Sequence, residues 1–291
     1  MRSWTALVRT IAPICLAALV VTACSDDDED GGTAADGDAP TTAETTGATD
    51  ATDATDATEV TSAEQVDTEE YCTQSLDFLT FLNRGPQGEG QPQLDAFVTE
   101  VDERLAELEA VTPEAIADDA STARERVRAL RMDEYYFADP ASAEAADNMS
   151  TWALDECGYE EHEIIAIDYM FQGVPDELSS GEPVALRLTN DGRQVHEMLV
   201  LRILDETISL LDLFLLPEDE WRPKAEFVAS TIAEPGQDRV TFAELASGRY
   251  GMVCFIPVGT TEIPGGRPAA DEANARPLHF FQGMRTEFTV G

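Results

Sequence analysis

Four side chains in the C-terminal half of the chain have the types and the order of a copper site. His196 begins one apolar segment, Cys254 ends another, and His279 and Met284 precede the last one. Two imidazoles and a thiolate form a trigonal ligand set for copper, and a thioether serves as a weak axial ligand. Each residue alone is more often ordinary core, so the prediction rests on the ordered set.

The spacing around these side chains resembles that of the cupredoxin, or type 1 blue copper, family. Members have Gly-x-Tyr-x-x-x-Cys in the penultimate strand, then His-x-x-x-Gly-Met, and an Asn six residues before the first His. The matching residues here are Gly248, Tyr250, Cys254, His279, Gly283, Met284, Asn190 and His196. The resemblance covers residues 163–291. It implies one type 1 copper ion on the four ligands named above, with Asn190 close to the thiolate but outside the ligand set.

One departure from the family is the distance between the cysteine and the second histidine. Typical members separate the two ligands by a few residues, whereas residues 255–278 lie between them here. The insertion is rich in Gly, Pro and Ala, and we expect Pro257 and Pro277 to pin its ends. It puts the geometry of the copper site in question rather than the fold. It is also placed to cover the exposed edge of His279 or to form a docking loop.

The start of the chain predicts export and lipidation. Arg2 and Arg9 form a short positive region before an apolar stretch over 11–21, which is too short to span a bilayer comfortably. Small residues then precede Cys24, an arrangement that resembles a bacterial lipobox. We therefore predict a signal peptide over 1–23, lipid on Cys24 and an extracytoplasmic protein anchored to the cell membrane. An ordinary secretory signal with an incidental cysteine is the alternative.

The predicted lipid anchor is followed by an acidic, low-complexity segment over 24–66. Its composition cannot bury enough apolar surface to offset the entropy of ordering, so we predict a disordered tether with a reach of roughly 35 Å. The whole chain has a formal net charge of −40. Such a charge excludes nucleic-acid binding through phosphate neutralisation and favours a redox partner protein with a basic docking face. We expect a monomer.

The five cysteines leave one thiol for a metal. Cys15 lies in the predicted signal peptide, and Cys24 is the predicted lipid site. Cys72 and Cys157 lie near the two ends of a helical region and can pair in an oxidising compartment. Cys254 then has no disulfide partner within this set. It is explained either as a buried and inert thiol, as one that pairs with a further thiol, or as a metal ligand.

Residues 67–158 predict a small bundle of four helices. Apolar residues recur at helical spacing in each segment, with a break over 83–86 and a first-turn proline at Pro113. Asp67 and Glu70 have the spacing of a capping box, and Gly158 follows the last helix as a stop signal.

Residues 163–291 change to a period of two, which predicts strands. The predicted strands lie at 164–167, 184–188, 196–203, 239–245, 250–256 and 286–290, and 208–216 is predicted to be helical. The fold class is therefore α+β by domains, with an N-terminal helical bundle followed by a C-terminal all-β sandwich. The family resemblance implies a Greek-key, cupredoxin-like sandwich.

A membrane-tethered electron carrier, and not an enzyme, is the favoured function. Three histidines in the whole chain cannot build a multicopper oxidase centre. Two alternatives stay open: a copper storage or delivery lipoprotein, and a metal-free module of the same fold that binds a protein partner.

Overall fold

The computed structural model describes residues 63–84, 91–130, 140–262 and 276–291. The predicted signal peptide, Cys24 and the tether as far as residue 62 lie outside the described residues, as does the middle of the insertion. Within the described ranges, no helix combines the length and the apolar character that crossing a membrane requires.

The N-terminal region forms four helices, as predicted. Their bounds are α1 Ala63–Arg84, α2 Gln91–Ala110, α3 Ala117–Leu130 and α4 Pro140–Glu156, with a 3₁₀ turn over Glu114–Ile116 before α3. The first helix begins four residues before Asp67, so Asp67 lies inside the helix and does not cap it. Alanine, glutamate and glutamine over 63–65 are good helix formers, which explains the earlier start.

The helical bundle has an apolar core and one disulfide. Its buried core residues are Tyr71, Phe78, Phe97, Val98, Val101, Leu105, Leu108 and Ile116. Cys72 in α1 is bonded to Cys157, which directly follows α4, with 5.6 Å between the two Cα atoms. The predicted disulfide is therefore confirmed, and it joins the first helix of the bundle to the end of the last.

The C-terminal region forms nine strands in two sheets. The strands are β1 Glu160–Ile167, β2 Met170–Gln172, β3 Glu177–Leu178, β4 Pro183–Asn190, β5 His196–Ile203, β6 Ala225–Ala233, β7 Asp238–Glu244, β8 Gly248–Val253 and β9 Arg285–Val290. The four-stranded sheet has the order β2-β1-β4-β7, and the five-stranded sheet has the order β3-β9-β8-β5-β6. Neighbours are antiparallel except in the β1–β4 and β3–β9 pairs. The predicted sandwich is confirmed; β2, β3 and β6 were not predicted.

The main core lies between the two sheets. It contains alternate residues of the strands, which the period of two places on one face. These include Ile164, Leu186, Leu188, Met198, Val200, Tyr250, Met252, Cys254, Met284 and Phe288. The same core that stabilises the sandwich therefore contains two of the four predicted ligands.

The outer face of the four-stranded sheet is covered by the helical bundle. Ala185, Val240 and Phe242 project from β4 and β7 onto Leu76 of α1 and Ala153 of α4. The hydroxyl of Tyr159 also donates a hydrogen bond to the carbonyl of Cys72 at 2.9 Å. The bundle and the sandwich thus share a continuous apolar contact.

The outer face of the five-stranded sheet is covered by the segment between β5 and β6. Part of the predicted helix over 208–216 forms one turn, α5 Leu210–Leu213, capped by Ser209. A second short turn, α6 Glu218–Trp221, follows it. Both pack with aromatic residues on this face of the sheet. The buried residues are Leu199, Leu201, Ile203, Leu210, Leu213, Phe214, Trp221, Val253, Phe255, Leu278 and Phe280.

Candidate metal centre

All four predicted ligands meet at one end of the sandwich. β5 and β8 run antiparallel, with Leu199 opposite Val253, so the start of β5 lies beside the end of β8. His196 is the first residue of β5 and Cys254 directly follows β8. His279 begins the short helix α7 His279–Gln282, and Met284 directly precedes β9. The strand register therefore collects residues that are up to 88 positions apart in the chain.

Three donor atoms converge within hydrogen-bonding distance. His196 Nδ1 lies 3.2 Å from His279 Nδ1, and Cys254 Sγ lies 3.4 Å from the same atom. All three side chains are 0% exposed. Among the described residues, His196, Cys254 and His279 are the one group of at least three His, Cys, Asp or Glu side chains close enough together to hold a metal ion.

Met284 lies directly against the other ligands. Its carbonyl accepts a hydrogen bond from Cys254 N–H at 3.2 Å, and its own N–H donates to the carbonyl of His279 at 3.1 Å. Its side chain is buried in the same apolar cluster as Cys254. β8 ends at Val253, earlier than predicted, because Glu197 N–H lies against Cys254 Sγ and Phe255 N–H donates to the Glu197 carboxyl, so neither continues the backbone ladder with β5.

The insertion is closed at its base, next to the site. Pro257 pairs with Leu278 in an isolated β-bridge, and Val258 N–H donates to Pro277 O at 2.9 Å. His279 N–H also donates to Ile256 O at 2.9 Å. The two ends of the insertion are therefore hydrogen-bonded to each other. Because these bonds lie next to the site, the positions of Cys254 and His279 do not depend on the length of the insertion.

Asn190 supports the turn that leads to His196. Its side-chain amide donates to Gln194 O at 2.9 Å and Ala233 O at 2.8 Å, and its Oδ1 accepts from Gly192 N–H at 2.9 Å. The sulfur of the thiol has a different donor, because Glu197 N–H lies 3.3 Å from Cys254 Sγ. Asn190 thus fixes the chain over 190–196, and the backbone of Glu197 contacts the thiol.

Glu197 is a buried carboxyl next to the centre that sequence reasoning missed. Its Oε2 accepts from Phe255 N–H at 3.1 Å, while its Oε1 has no hydrogen-bond partner among the described residues. Burial raises the pKa of Glu197 to about 7. Burial, and secondly the nearby Glu197 carboxylate, raise the pKa of the Cys254 thiol well above its usual range.

The far nitrogen of His196 faces a carboxylate. His196 Nε2 lies 3.4 Å from Asp168 Oδ1, a close polar contact that falls short of a well-formed hydrogen bond. Burial acts to raise the pKa of Asp168, but the two hydrogen bonds from Arg193 and the contact with His196 outweigh it and hold that pKa below its usual range. Because an ionised carboxylate is an acceptor only, it favours the proton on Nε2 and leaves a lone pair on Nδ1.

The far nitrogen of His279 faces an amide oxygen whose identity the network fixes. Gln194 Oε1 lies 3.2 Å from His279 Nε2 and also accepts a short hydrogen bond from Gly259 N–H. The backbone N–H can only donate, so the oxygen of the amide must lie on this side. His279 Nε2 therefore carries the proton, and Nδ1 carries a lone pair.

The donor atoms fit a bound metal ion. With both imidazoles protonated on Nε2, two lone pairs face one another across 3.2 Å beside a sulfur, and they repel unless a cation lies between them. At tetrahedral zinc sites, metal bonds of roughly 2.0–2.1 Å to nitrogen and 2.3 Å to sulfur place neighbouring donors roughly 3.3–3.6 Å apart. The observed separations of 3.2 and 3.4 Å are close to that range. Two imidazoles, a thiol and a nearby thioether are the donor set that suits copper.

His279 is covered in this structure, whereas the family resemblance implies that one edge of its ring is exposed. His279 is fully buried, and the ring of Tyr169 packs against it edge to face, with 5.2 Å between the ring centroids. Tyr169 is itself half-buried. Among the described residues, the cover comes from Tyr169 in the β1–β2 turn, and Gly259 of the insertion contributes its bond to Gln194.

The two sheets and the buried donor set resemble those of the cupredoxin fold, and the donor atoms fit one copper ion of the type 1 kind. Comparison with protein-family models and with curated proteins gives no match. Among solved structures, the chain is similar to auracyanin A, a blue copper protein from Chloroflexus aurantiacus, with 17% identity, 45% of this chain and 98% of that chain covered, and a TM-score of 0.28. Rusticyanin from Thiobacillus ferrooxidans has 15% identity, 45% and 76% coverage and a TM-score of 0.27. The multicopper oxidase McoA from Aquifex aeolicus has 12% identity, 46% and 30% coverage and a TM-score of 0.26.

Proposed function

We propose that this protein is a mononuclear type 1 copper protein that carries single electrons outside the cytoplasm, held to the membrane by a lipid on Cys24. One observation carries the copper assignment. The far nitrogens of His196 and His279 both face oxygen acceptors, so both Nδ1 lone pairs point at one another and lie close to Cys254 Sγ. A cation at that point satisfies all three donors at once.

Electron transfer is supported by the way in which the chain holds the donors. His196 and Cys254 lie at the ends of paired strands, and Met284 and His279 are tied to each other and to Cys254 by backbone hydrogen bonds. All four side chains are buried in the core. Copper bound there supplies a one-electron couple between Cu(I) and Cu(II). Donors that cannot move lower the reorganisation that accompanies each change of charge.

An enzyme is disfavoured by the number of ligands. The chain has three histidines, and two of them belong to this centre. The third, His162, lies in β1, where its Nε2 is 3.6 Å from Glu160. A cluster of several copper ions would need more imidazoles than the chain contains, so we propose a carrier without a substrate of its own.

Loading the purified full chain with Cu(II) tests this proposal. We expect one equivalent of copper, an intense visible thiolate-to-copper charge-transfer band, and reversible bleaching and recovery over repeated reduction and reoxidation. Cys254→Ser should lose the band because it removes the thiolate. His162→Asn is the matched control, since it removes the histidine that lies outside the centre, and it should keep the band at full intensity.

The other outcomes identify the alternatives. Copper that binds without the band, and that a chelator removes quickly, would replace the carrier by a storage or delivery protein. No stoichiometric copper would leave a metal-free interaction module and would refute the carrier.

The location outside the cytoplasm is supported by two features of different kinds. The sequence before Cys24 resembles a lipobox, and the Cys72–Cys157 disulfide suits an oxidising compartment. Cell fractionation and labelling with a fatty acid test the anchor. Wild type should be labelled and sediment with membranes, whereas Cys24→Ser should be unlabelled and released. Labelling that survives Cys24→Ser would contradict lipidation at this residue.

The acidic chain supports a partner with a basic docking face. Association with that partner should weaken steeply as salt is added, because salt screens charges on exposed surfaces. Association that is insensitive to salt would argue for apolar docking instead.

A further inference from the structure

The tip of the first hairpin touches both histidine ligands. Ile167 of β1 pairs with Met170 of β2, so Asp168 and Tyr169 form the two-residue turn between them. Among the described residues other than glycine, only Tyr169 has a positive φ, which is 71°. A bulky residue rarely adopts this conformation. The turn is therefore held in an unfavourable backbone conformation while its side chains contact the metal centre.

The first arm of the tip is Asp168, on the side of His196. Its Oδ1 lies 3.4 Å from His196 Nε2 and accepts from Arg193 N–H at 3.0 Å, and its Oδ2 accepts from Arg193 Nε at 3.3 Å. A Cβ at Gly192 would lie 2.6 Å from His196 Nε2 and 2.8 Å from Asp168 Oδ1. Glycine at 192 is thus what allows the carboxylate and the imidazole to meet.

The second arm is Tyr169, on the side of His279. Gln194 Nε2 donates to the hydroxyl of Tyr169 at 3.0 Å, and Gln194 Oε1 accepts from His279 Nε2. The tyrosine ring also packs edge to face on the imidazole. Tyr169 therefore acts on His279 directly through its ring and indirectly by orienting the Gln194 amide.

We infer that the Asp168–Tyr169 turn is a positioning element that sets the tautomer, orientation and basicity of both copper ligands. The inference rests on the proposed function and deepens it. Carboxylates and carbonyls that accept from a metal-bound histidine fix its ring and raise its basicity. The two arms differ in charge: His196 faces an ionised carboxylate and His279 faces a neutral amide. The arm of His196 therefore favours Cu(II) over Cu(I) and lowers the reduction potential.

Nitrogen NMR of the metal-free full chain tests the tautomers without copper. Long-range ¹H–¹⁵N spectra should show both His196 and His279 protonated on Nε2, with unprotonated Nδ1. A predominant Nδ1–H form of either histidine would overturn the inference for that arm. Because this measurement needs no metal, it separates failure of the positioning element from failure of the copper assignment.

Three variants then test the arms separately in the copper-loaded protein. Asp168→Asn should weaken Cu(II) binding by about 10–100-fold and weaken Cu(I) binding less, so the reduction potential should rise. Asp191→Asn is the matched control, because it removes the same charge at an exposed position beside the same turn. Tyr169→Phe removes only the hydroxyl and should change the His279 signals while leaving those of His196 in place.

The pattern across these variants decides the matter. If Asp168→Asn lowers the Cu(II) affinity no more than Asp191→Asn does, Asp168 has no positioning role. If Tyr169→Phe leaves the His279 signals unchanged, the hydroxyl of Tyr169 has no positioning role. Should Asp168→Asn fail to fold, the NMR of wild type and the Tyr169→Phe variant still give an answer on each arm.

Discussion

Glu197→Gln should make the stability of the metal-free protein depend differently on pH. Glu197 is buried against Phe255 N–H and the Cys254 thiol, and its second carboxyl oxygen has no partner among the described residues. Glutamine keeps the size of the side chain and the acceptor for Phe255, but it cannot ionise. A comparison of the two proteins therefore isolates the cost of the buried charge.

The magnitude follows from the pKa of the carboxyl. Burial raises the pKa of Glu197 from 4.5 to about 7, and one pKa unit corresponds to about 1.4 kcal/mol. Below pH 4.5 the carboxyl is protonated in the folded and the unfolded protein, so it costs nothing. Between pH 4.5 and about 7 the unfolded chain ionises this carboxyl while the folded protein keeps it protonated, so the fold loses stability over this range and the loss is constant above it. The free energy of unfolding of Glu197→Gln should thus rise by about 3 kcal/mol relative to that of wild type between pH 4.5 and a pH above 7.

Urea unfolding of both metal-free proteins across this pH range provides the measurement. Burial, and for His279 the neighbouring His196, lower the pKa of both histidines, so they destabilise the fold as the pH falls. They do so in both proteins, and their contribution cancels in the difference. Glu244→Gln at the exposed end of β7 is the matched control and should shift the stability by a constant, small amount. A gap between wild type and Glu197→Gln that stays the same at every pH would refute the reasoning.

Three further predictions concern the bundle, its contact with the sandwich and the tether. Replacing Cys72 and Cys157 by serine should cost about 4–5 kcal/mol in urea unfolding, because the bond closes a loop with a sequence separation of 85; a loss below about 1 kcal/mol would contradict this. Phe242→Ala should cost about 3–5 kcal/mol, since the side chain is buried between β7 and the helices, and it should leave the copper spectrum unchanged; a changed spectrum would link the bundle to the site. Deleting 25–60 should slow electron exchange with a membrane-bound partner and leave copper binding intact, and an unchanged exchange rate would argue against a role for reach.

The sequence predicts the parts of the fold that follow from local pattern. The six strands with clear alternation and the four helices appear where expected, because burial on one face imposes a period. β6 was missed because Ala225–Ala233 is rich in small and polar residues, although it is buried over much of its length. The three ligands His196, Cys254 and His279 could be predicted because their residue types and order are distinctive.

The surroundings of the ligands depend on contacts that no local pattern encodes. Asp168 reaches His196 only because β1 pairs in parallel with β4 and the hairpin tip comes over the end of the sandwich. Gln194 and Tyr169 have ordinary neighbours in the sequence. Glu197 reads as an outward-facing, exposed strand residue, and its burial follows from the segments that cover the outer face of the five-stranded sheet. A positive φ at a tyrosine likewise has no sequence signature.

The order of the cysteines along the chain has a consequence for maturation. Three thiols lie in the described part of the chain, and a wrong disulfide would consume Cys254. In a chain that crosses a membrane from its N-terminus, Cys72 and Cys157 emerge before Cys254 and can oxidise with each other first. Once the sandwich has formed, Cys254 is buried and its thiol resists ionisation, and the thiolate is the form that attacks disulfides. If the chain is exported from its N-terminus as proposed, Cys254 is the last of these three thiols to emerge, and it is buried once the sandwich has formed.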